Sequence, residues 1–345
     1  MVWVVEVKAA VFMGQEDVQV LNVPKPSIRS DEVLIRVAYC GICGSDITAY
    51  KTGNYVVGLT IGHEFSGTIE KAGSKVEDLK VGDRVTGNAV IPCCRCSFCL
   101  SGKPSLCESM EMPGVTANGA FAEYVKFPAM AVYELPEELS LLDAALVDPL
   151  ACVLHPVNLS SFKPLDSVLI QGAGPLGVLT LETLKKSGAG KIIVAEISPG
   201  RKRLAQDLGA DIVVDPREEN LPAIIERQTN GLGIDILFDT AGVPETLSQN
   251  FTLVKKGGEI IVVGITEEPT PSDFFTVVLN ELTIKGAYCG FNEYPSAIEM
   301  LSKGLVSAGR IITSIIELDE ISEKGFKPLM EPIKECKVVV EVGGG

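Results

Sequence analysis

Short apolar runs rich in valine and isoleucine, separated by glycine and proline, characterise residues 1 to about 150. Examples are Asp31–Val37, Phe65–Glu70 and Gly82–Val85. Runs of this length between turn-forming residues are typical of β-strands. The pattern therefore predicts a β-rich first region with tight turns.

From Asp166 onward, strand-like runs alternate with helical stretches. The predicted strands are Ser167–Gln171, Lys191–Ala195, Asp211–Val214, Ile234–Phe238 and Glu259–Val263. The predicted helices are Leu176–Lys186, Arg201–Leu208 and Pro244–Val254. This alternation predicts an α/β fold with a doubly wound parallel sheet and helices on both faces.

The pattern shortens after Gly286, and Lys337–Val340 is predicted to be a final strand that rejoins the first region. We accordingly assign residues 1–152 and 288–345 to one domain and residues 153–287 to a nucleotide-binding domain. With 345 residues, 46% of them hydrophobic, the chain is long enough to give each domain its own core.

The net charge of -15 is spread along the chain, and an acidic surface repels nucleic-acid phosphates and anionic membranes. The apolar run Met1–Val5 is followed by Glu6 and Lys8, and it is too short for a signal peptide or a membrane span. We therefore expect a cytoplasmic protein that binds neither nucleic acid nor membrane. Five of the ten cysteines crowd into residues 93–107, which favours metal binding over disulfides.

A glycine-rich turn follows the first predicted strand of the second domain, with the sequence Gly172-Ala173-Gly174-Pro175-Leu176-Gly177. The first glycine permits a tight turn, the second lets the backbone approach a pyrophosphate, and the third lets helix and strand pack closely. The free amides at the helix N-terminus can then bind phosphate. Because a strand precedes the turn and a helix follows it, the motif predicts dinucleotide binding.

Glu196 stands at the end of the next predicted strand, 19 positions after Gly177. A carboxylate there accepts hydrogen bonds from the adenosine ribose and repels a 2′-phosphate, so NAD is expected rather than NADP. Arg201 and Arg203 could tolerate that phosphate, although solvated helix charges are the simpler interpretation. We also include Arg201 and Ala241 among the candidate cofactor-binding residues.

Four cysteines, Cys93, Cys96, Cys99 and Cys107, follow one another at spacings that let a single loop close a tetrahedral thiolate shell. Such a shell leaves no position for substrate, so it predicts a structural zinc site. Cys94 is the additional cysteine, and we expect it to lie outside a shell that is already full.

A catalytic zinc needs about three protein ligands and one exchangeable position. Cys43 lies in a glycine-flanked turn and His63 in Gly62-His63-Glu64, and Asp148 or Glu64 could add a carboxylate. Neighbouring residues of a strand point to opposite faces, so His63 and Glu64 reach one metal only if the backbone is irregular there. Glu64 is therefore open between a ligand and a supporting residue. The other histidine, His155, is interpreted as structural.

Taken together, these motifs resemble the zinc-containing medium-chain dehydrogenase/reductase superfamily over nearly the whole chain. Gly62-His63-Glu64-x2-Gly67-x5-Gly73-x2-Val76 resembles that family's zinc alcohol dehydrogenase signature, and the cysteine cluster at 93–107 resembles its structural-zinc lobe. The resemblance implies a GroES-like, β-rich catalytic domain formed from both chain ends, an inserted Rossmann domain, an active site in the cleft and a homodimer or homotetramer. Phe274–Leu279 is a candidate edge segment for pairing between subunits.

The resemblance also implies roles for individual residues. Ser45 is expected to hydrogen-bond the reacting hydroxyl, Asp46 to orient His63, and Lys337 to lie near the pyrophosphate. Residues Val263, Gly264 and Ile265 are expected near the nicotinamide.

The segment Leu146–Leu150 resembles one that carries Glu-Pro-Leu in sorbitol-type polyol dehydrogenases and a cysteine ligand in simple alcohol dehydrogenases. Asp148 departs from both, and it could bind zinc directly or through water. Threonine dehydrogenases carry histidines where this chain has Thr48 and Val90, which disfavours threonine as substrate. Thr48 also cannot act as a base, so Ser45 would pass the proton toward the ribose hydroxyl and solvent.

The expected activity is hydride transfer from a secondary alcohol of a polyol or sugar alcohol to NAD, with one catalytic and one structural zinc per subunit. The alternatives are a simple secondary alcohol, a diol or an amino alcohol as substrate. A rival of another class is a non-catalytic nucleotide-binding protein, because a fold does not fix its function. Cys43 with His63 disfavours the rival, since a binding protein has no need of an open zinc site.

Overall fold

The computed structural model describes residues 5–330 and 335–343, so most of the run Met1–Val5 lies outside the described residues. The strands are β1 (Glu6–Gly14), β2 (Asp17–Pro24), β3 (Glu32–Gly41), β4 (Glu64–Ala72), β5 (Arg84–Gly87), β6 (Tyr124–Pro128), β7 (Val132–Glu134), β8 (Ser167–Gln171), β9 (Lys191–Ala195), β10 (Ile212–Val214), β11 (Ile234–Asp239), β12 (Val254–Val262), β13 (Thr283–Gly286), β14 (Ile312–Glu317) and β15 (Lys337–Glu341). The helices are α1 (Gly44–Thr52), α2 (Ser97–Leu100), α3 (Leu141–Ala144), α4 (Val147–Leu159), α5 (Pro175–Lys186), α6 (Pro199–Asp207), α7 (Leu221–Gln228), α8 (Pro244–Gln249), α9 (Phe274–Leu279), α10 (Tyr294–Ser302), α11 (Ala308–Ile311) and α12 (Lys327–Leu329).

The chain forms two compact units. The first comprises residues 1–151, 291–304 and 312–345, and the second comprises residues 152–290 and 305–311. This division differs from our sequence-based domains mainly at residues 305–311. The carboxylate of Glu182 on α5 explains the difference, because it accepts hydrogen bonds from the backbone N–H and the hydroxyl of Ser307 and so holds this segment in the second unit.

The second unit is built on a parallel sheet with the strand order β10-β9-β8-β11-β12-β13. Strand order reverses between β8 and β11, and in sheets of this kind ligands bind outside the carboxyl ends of the strands at that point. The apolar residues of β8 and β11, including Leu169 and Leu237, are fully buried, as expected for strands covered on both faces. The glycine-rich turn leaves β8 at this reversal point.

The first unit contains a larger mixed sheet with the order β14-β15-β3-β4-β5-β7, and β6 also pairs with β3. Strand β15 pairs antiparallel with β3, so Lys337–Val340 rejoins the first unit as its pattern predicts. The core beneath this sheet contains large buried side chains such as Phe65, Phe121 and Phe127. The hairpin β1-β2 completes the strands of this unit in the described residues.

One predicted element is wrong in its extent. The helix predicted at Pro244–Val254 ends at Gln249, because the buried side chain of Asn250 donates to Asp239 and accepts from Gln171. These hydrogen bonds fix Asn250 at the sheet, and the chain enters β12 four residues later. The segment Phe274–Leu279, the candidate for pairing between subunits, forms helix α9, and Asp273 caps its N-terminus by accepting from the N–H of Thr276.

In the described part of the chain, no helix has the length and apolar character needed to cross a membrane.

Candidate metal centres and cofactor site

Cys43 lies at the start of α1, in the first unit. It occupies the N-cap position in an extended conformation, and its backbone N–H donates to Asp46 Oδ2 at 3.1 Å. Asp46 is thereby held at the third helical position, where a carboxylate is favourable beside the free amides. The turn directs Cys43 and Asp46 toward the same site.

His63 and Glu64 reach that site because the backbone is irregular before β4. Gly62 has a φ of 93°, and a Cβ at this position would meet the ring of Phe121 at 2.5 Å. Since β4 begins at Glu64, His63 precedes the strand and the alternation of side chains does not separate the two residues. One ligand atom from each of Cys43, His63 and Glu64 lies within 4.8 Å of the others.

The electrostatic setting of this cluster favours positive charge. His63 Nδ1 lies 3.8 Å from Asp46 Oδ1, and it is a buried nitrogen without a hydrogen-bond partner among the described residues. Burial opposes a charge on His63, but the negative charges of Asp46 and Cys43 raise the pKa of the imidazole well above its ordinary value of 6.5. A thiol, an imidazole and a carboxylate in this setting suit a divalent zinc ion.

Glu64 is also paired with a buried lysine. Lys337 Nζ forms an ion pair with Glu64 Oε2 and donates to the carbonyl oxygen of Ile42 at 2.8 Å. Gly41 leaves room for the pair, because a Cβ there would stand 2.5 Å from Glu64 Oε2. Lys337 is only 1% exposed, and its ammonium is engaged in this pair. The expectation that Lys337 binds the cofactor is therefore corrected.

Asp148 lies in the first turn of α4 but outside the Cys43, His63 and Glu64 donor set. Burial raises the pKa of its carboxyl to about 6, although the neighbouring His63 opposes the shift. The hydroxyl of Tyr294, the first residue of α10, donates to Asp148 Oδ1. No motif or spacing in the sequence indicates this contact of Tyr294.

Ser45 and Thr48 both lie on α1, but their settings differ. The hydroxyl of Tyr55 contacts the Ser45 side chain and lies 3.5 Å from Asp46 Oδ1. Burial raises the pKa of Tyr55 well above its usual range, so it remains a neutral donor. Thr48 is exposed and donates to the carbonyl oxygen of Gly44 at 3.1 Å. Tyr55 is a further residue for which the sequence offers no specific signal.

The second cluster contains four thiols from one short stretch, Cys93, Cys96, Cys99 and Cys107. Their sulfur atoms lie within 4.8 Å of one another. Backbone N–H groups of Cys99 and Glu108 lower the pKa of Cys96 to about 6, so its thiolate is favoured near neutral pH. Cys94 is exposed, lies outside the cluster and contacts the carbonyl oxygen of Pro92.

The glycine-rich turn has the conformation that close backbone packing requires. Gly172 has a φ of 90°, and a Cβ there would stand 3.2 Å from Ala241. A Cβ at Gly177 would collide with the carbonyl oxygen of Gly172, so the third glycine permits α5 to approach the strand. Helix α5 begins at Pro175 with Leu176 next, and Gly174 caps it without a side chain. The first-turn amides therefore remain available for a phosphate.

Other predicted cofactor residues lie at the same edge of the sheet. The backbone N–H groups of Val263 and Gly264 donate to the carbonyl oxygen of Asp239, and a Cβ at Gly264 would meet the backbone of Gly242 beside Ala241. Ile265 follows with 74% of its surface exposed. Arg201 Nη1 lies 3.7 Å from the position of a Cβ at Gly174.

Glu196 supports the turn itself. Its Oε2 accepts from the N–H of Ala173 at 2.7 Å, and its Oε1 accepts from the N–H groups of Ile197 and Ser198 at 2.8 Å. The carboxylate therefore links the glycine-rich turn to the end of β9, and its negative charge is fixed at that place.

Comparisons with known proteins agree with this geometry. The alcohol dehydrogenase GroES-like domain matches residues 29–137, and the zinc-binding dehydrogenase domain matches residues 175–303. The chain is 34% identical over 340 residues to sorbitol dehydrogenase of Bacillus subtilis, with 96% of each chain covered. The chain belongs to the zinc-type alcohol dehydrogenase family.

Further relatives extend the match. The chain is 34% identical to (R,R)-butanediol dehydrogenase of Bacillus subtilis, with 96% of this chain and 99% of that protein covered. A crystal structure of a zinc-binding dehydrogenase from Sinorhizobium meliloti 1021 bound to NADP has a TM-score of 0.92 and 33% identity, and the match covers 98% of this chain and 99% of that one. Members of this family are oxidoreductases that act on small-molecule alcohols, and zinc and a nicotinamide cofactor are typical of them. The GroES-like and Rossmann assignments of the sequence are thereby confirmed.

Proposed function

We propose that this protein oxidises a secondary hydroxyl of a polyol or sugar alcohol with NAD. The observation that carries the proposal is the donor set of Cys43, His63 and Glu64, whose ligand atoms lie within 4.8 Å of one another. A thiolate, an imidazole and a carboxylate give a zinc ion three protein ligands and leave one position for substrate. The sorbitol and butanediol dehydrogenases among the relatives support a substrate with more than one hydroxyl.

Each residue near the donor set has a proposed task. Zinc bound there would act as a Lewis acid and lower the pKa of the substrate hydroxyl. Asp46 would orient the imidazole of His63, whose Nδ1 lies 3.8 Å from its carboxylate. Ser45, whose side chain Tyr55 contacts, would accept and pass on the hydroxyl proton; Thr48, which donates to the carbonyl oxygen of Gly44 on α1, would not take it up.

Lys337 would hold one oxygen of Glu64 and thereby support it as a ligand. The four thiols of Cys93, Cys96, Cys99 and Cys107 would hold a second zinc ion in a closed shell that contributes to folding.

The nicotinamide cofactor would accept the hydride, and the protein would supply its orientation. The glycine-rich turn from Gly172 to Gly177 and the amides of α5 would bind the pyrophosphate. The fixed charge of Glu196 would disfavour a 2′-phosphate, so we propose NAD as the preferred cofactor. Arg201 beside Gly174 would meet the cofactor phosphates.

The oligomer is proposed to be a homodimer or homotetramer in the cytoplasm. Helix α9 supports self-association, because Phe274, Phe275, Val278 and Leu279 each expose at least 66% of their surface. An apolar surface of this kind is characteristic of a protein contact.

A direct test follows reduced nicotinamide formation with a panel of polyols, sugar phosphates, diols and amino alcohols, each with NAD and NADP. We expect a polyol or diol with NAD to give the highest kcat/KM, a chelator to abolish turnover, and zinc to restore it. Turnover that persists without metal, or no turnover with any member of the panel, contradicts the proposal.

A further inference from the structure

Tyr294 lies in a fully buried position beside the candidate catalytic site. Its ring stacks on Tyr133 with a centroid distance of 5.2 Å and an interplanar angle of 21°. Its hydroxyl oxygen accepts a hydrogen bond from the N–H of Ala89 at 3.1 Å, and the hydroxyl donates to Asp148 Oδ1. The side chain is therefore fixed at both its ring and its oxygen.

These contacts fix the direction of the phenol proton. A tyrosine hydroxyl has one proton, and the N–H of Ala89 approaches a lone pair of the oxygen. The proton consequently points to Asp148 Oδ1. Oδ1 of Asp148 is thus bound by Tyr294. Because the carboxylate is planar and rigid, this hydrogen bond also limits the position of Oδ2.

Asp148 is 6% exposed and lies outside the donor set of Cys43, His63 and Glu64. An ionised carboxylate only accepts hydrogen bonds, so the oxygen that Tyr294 does not bind can receive one from a hydroxyl. In a substrate with two neighbouring hydroxyls, one hydroxyl would bind at the metal site of Cys43, His63 and Glu64. The other would donate a hydrogen bond to the carboxylate of Asp148. A substrate with a single hydroxyl has none left for Asp148.

We propose that Asp148, oriented by Tyr294, accepts a hydrogen bond from the hydroxyl on the carbon next to the reacting one, and so selects vicinal diols and polyols over simple secondary alcohols. This inference rests on the proposed function, and it names the part of the substrate that the site recognises. Asp148 contacts the substrate, whereas Tyr294 acts through Asp148 as a positioning residue.

The test compares butane-2,3-diol with butan-2-ol, which share a carbon skeleton and differ by one hydroxyl. We expect the wild type to prefer the diol in kcat/KM by at least about tenfold, because a site built for a hydroxyl rejects the analogue that lacks it. Asp148→Asn should remove most of that preference, since the amide reproduces the shape but not the charge of the acceptor. Tyr294→Phe should lower kcat/KM for the diol more than for butan-2-ol.

A double-mutant cycle separates a positioning role from a structural one. If Tyr294 acts through Asp148, Tyr294→Phe should have little further effect on the diol preference in the Asp148→Asn background. Tyr133→Phe is the matched control, because it removes the hydroxyl of the stacked partner, which contacts Asn88 rather than Asp148. Metal content and melting temperature are measured for every variant, and we expect zinc to be retained in all of them.

An unchanged diol preference in Asp148→Asn overturns the inference, as does an equal loss for both substrates in Tyr294→Phe. Loss of zinc from Asp148→Asn also overturns it, since Asp148 would then belong to the metal ligands. If Tyr294→Phe does not fold, the ratio of kcat/KM for butane-2,3-diol over butan-2-ol in Asp148→Asn still tests the inference. A wild type that oxidises no member of the substrate panel in the presence of zinc refutes the proposed function itself. If it oxidises a polyol of the panel but neither butane alcohol, the same comparison is made with that polyol and its analogue without the neighbouring hydroxyl.

Discussion

In each of the two candidate metal centres the ligand atoms lie within 4.8 Å of one another, but the centres are assembled differently. The four thiols of Cys93, Cys96, Cys99 and Cys107 come from one short stretch that includes α2, and their own backbone N–H groups donate to the sulfur atoms. Cys43, His63 and Glu64 come from the starts of α1 and β4. They are supported by Lys337 and surrounded by buried acids.

This difference indicates different tasks. A local shell of four thiolates is complete in itself and leaves no position for another ligand. A mixed set of three ligands leaves a position open, and the surrounding fold has to supply its orientation and charge. The closed site should therefore affect stability first, whereas the open site should affect turnover first.

The largest expected effect is on turnover at the open site. Cys43→Ser or His63→Ala should lower kcat by at least about 10³-fold, because the Lewis acid loses a ligand. The melting temperature should change little, since neither residue belongs to the apolar core. Steady-state kinetics and thermal unfolding check this prediction, with Cys94→Ser as a control thiol outside both clusters. Near-normal turnover in either variant would remove the open site from the mechanism.

At the closed site, the effect should fall on stability. Cys99→Ser or Cys107→Ser should lower the melting temperature by about 5 °C or more, because a structural metal contributes folding energy directly. Calorimetry of these variants beside Cys94→Ser, a thiol from the same loop, checks the prediction. Equal melting temperatures for all three would show that the lobe holds no metal.

Cofactor preference extends the comparison to the second unit. Glu196→Gln combined with Ile197→Arg should change the ratio of kcat/KM for NAD over NADP by about tenfold or more toward NADP, because a fixed negative charge is replaced by a positive one. Glutamine keeps one of the two acceptor oxygens with which Glu196 now binds backbone N–H groups. A wild type that already prefers NADP would contradict the assignment.

The smallest expected effect concerns proton release. Thr48→His introduces a side chain that titrates near pH 6.5, and it should raise the rate of alcohol oxidation between about pH 6 and 7 by roughly twofold if proton release limits turnover. The pH–rate profiles of variant and wild type are compared at saturating substrate. Identical profiles would mean that the proton leaves by a route that does not include position 48.

Local features of the site could be predicted from the sequence, and distant contacts could not. The glycine-rich turn and the four-cysteine cluster each lie within one short segment. The spacing of their residues was therefore enough to predict which residues the structure brings together. By contrast, Glu64 meets Lys337 across 273 positions, and Asp148 meets Tyr294 across 146. Such pairs depend on how β15 and α10 pack, which no motif records.

Contacts between distant parts of the chain also explain two predictions that the structure corrects, the length of one helix and the position of Lys337. The helix that ends at Gln249 is stopped by buried hydrogen bonds of Asn250 with Gln171 and Asp239, which lie on two other strands. Lys337 was expected near a pyrophosphate through resemblance alone, whereas its strand pairs with β3 and directs the ammonium to Glu64. In each case a tertiary contact determined the outcome.

The most direct test of the account is the metal content of three purified proteins, measured per chain by mass spectrometry. The account predicts two zinc ions in the wild type and one in each of Cys43→Ser and Cys107→Ser. It further predicts that a mild chelator removes one zinc ion from the wild type together with the activity, and leaves the other in place. A wild type with at most one zinc ion per chain, or activity that persists after the exchangeable ion is removed, would contradict it.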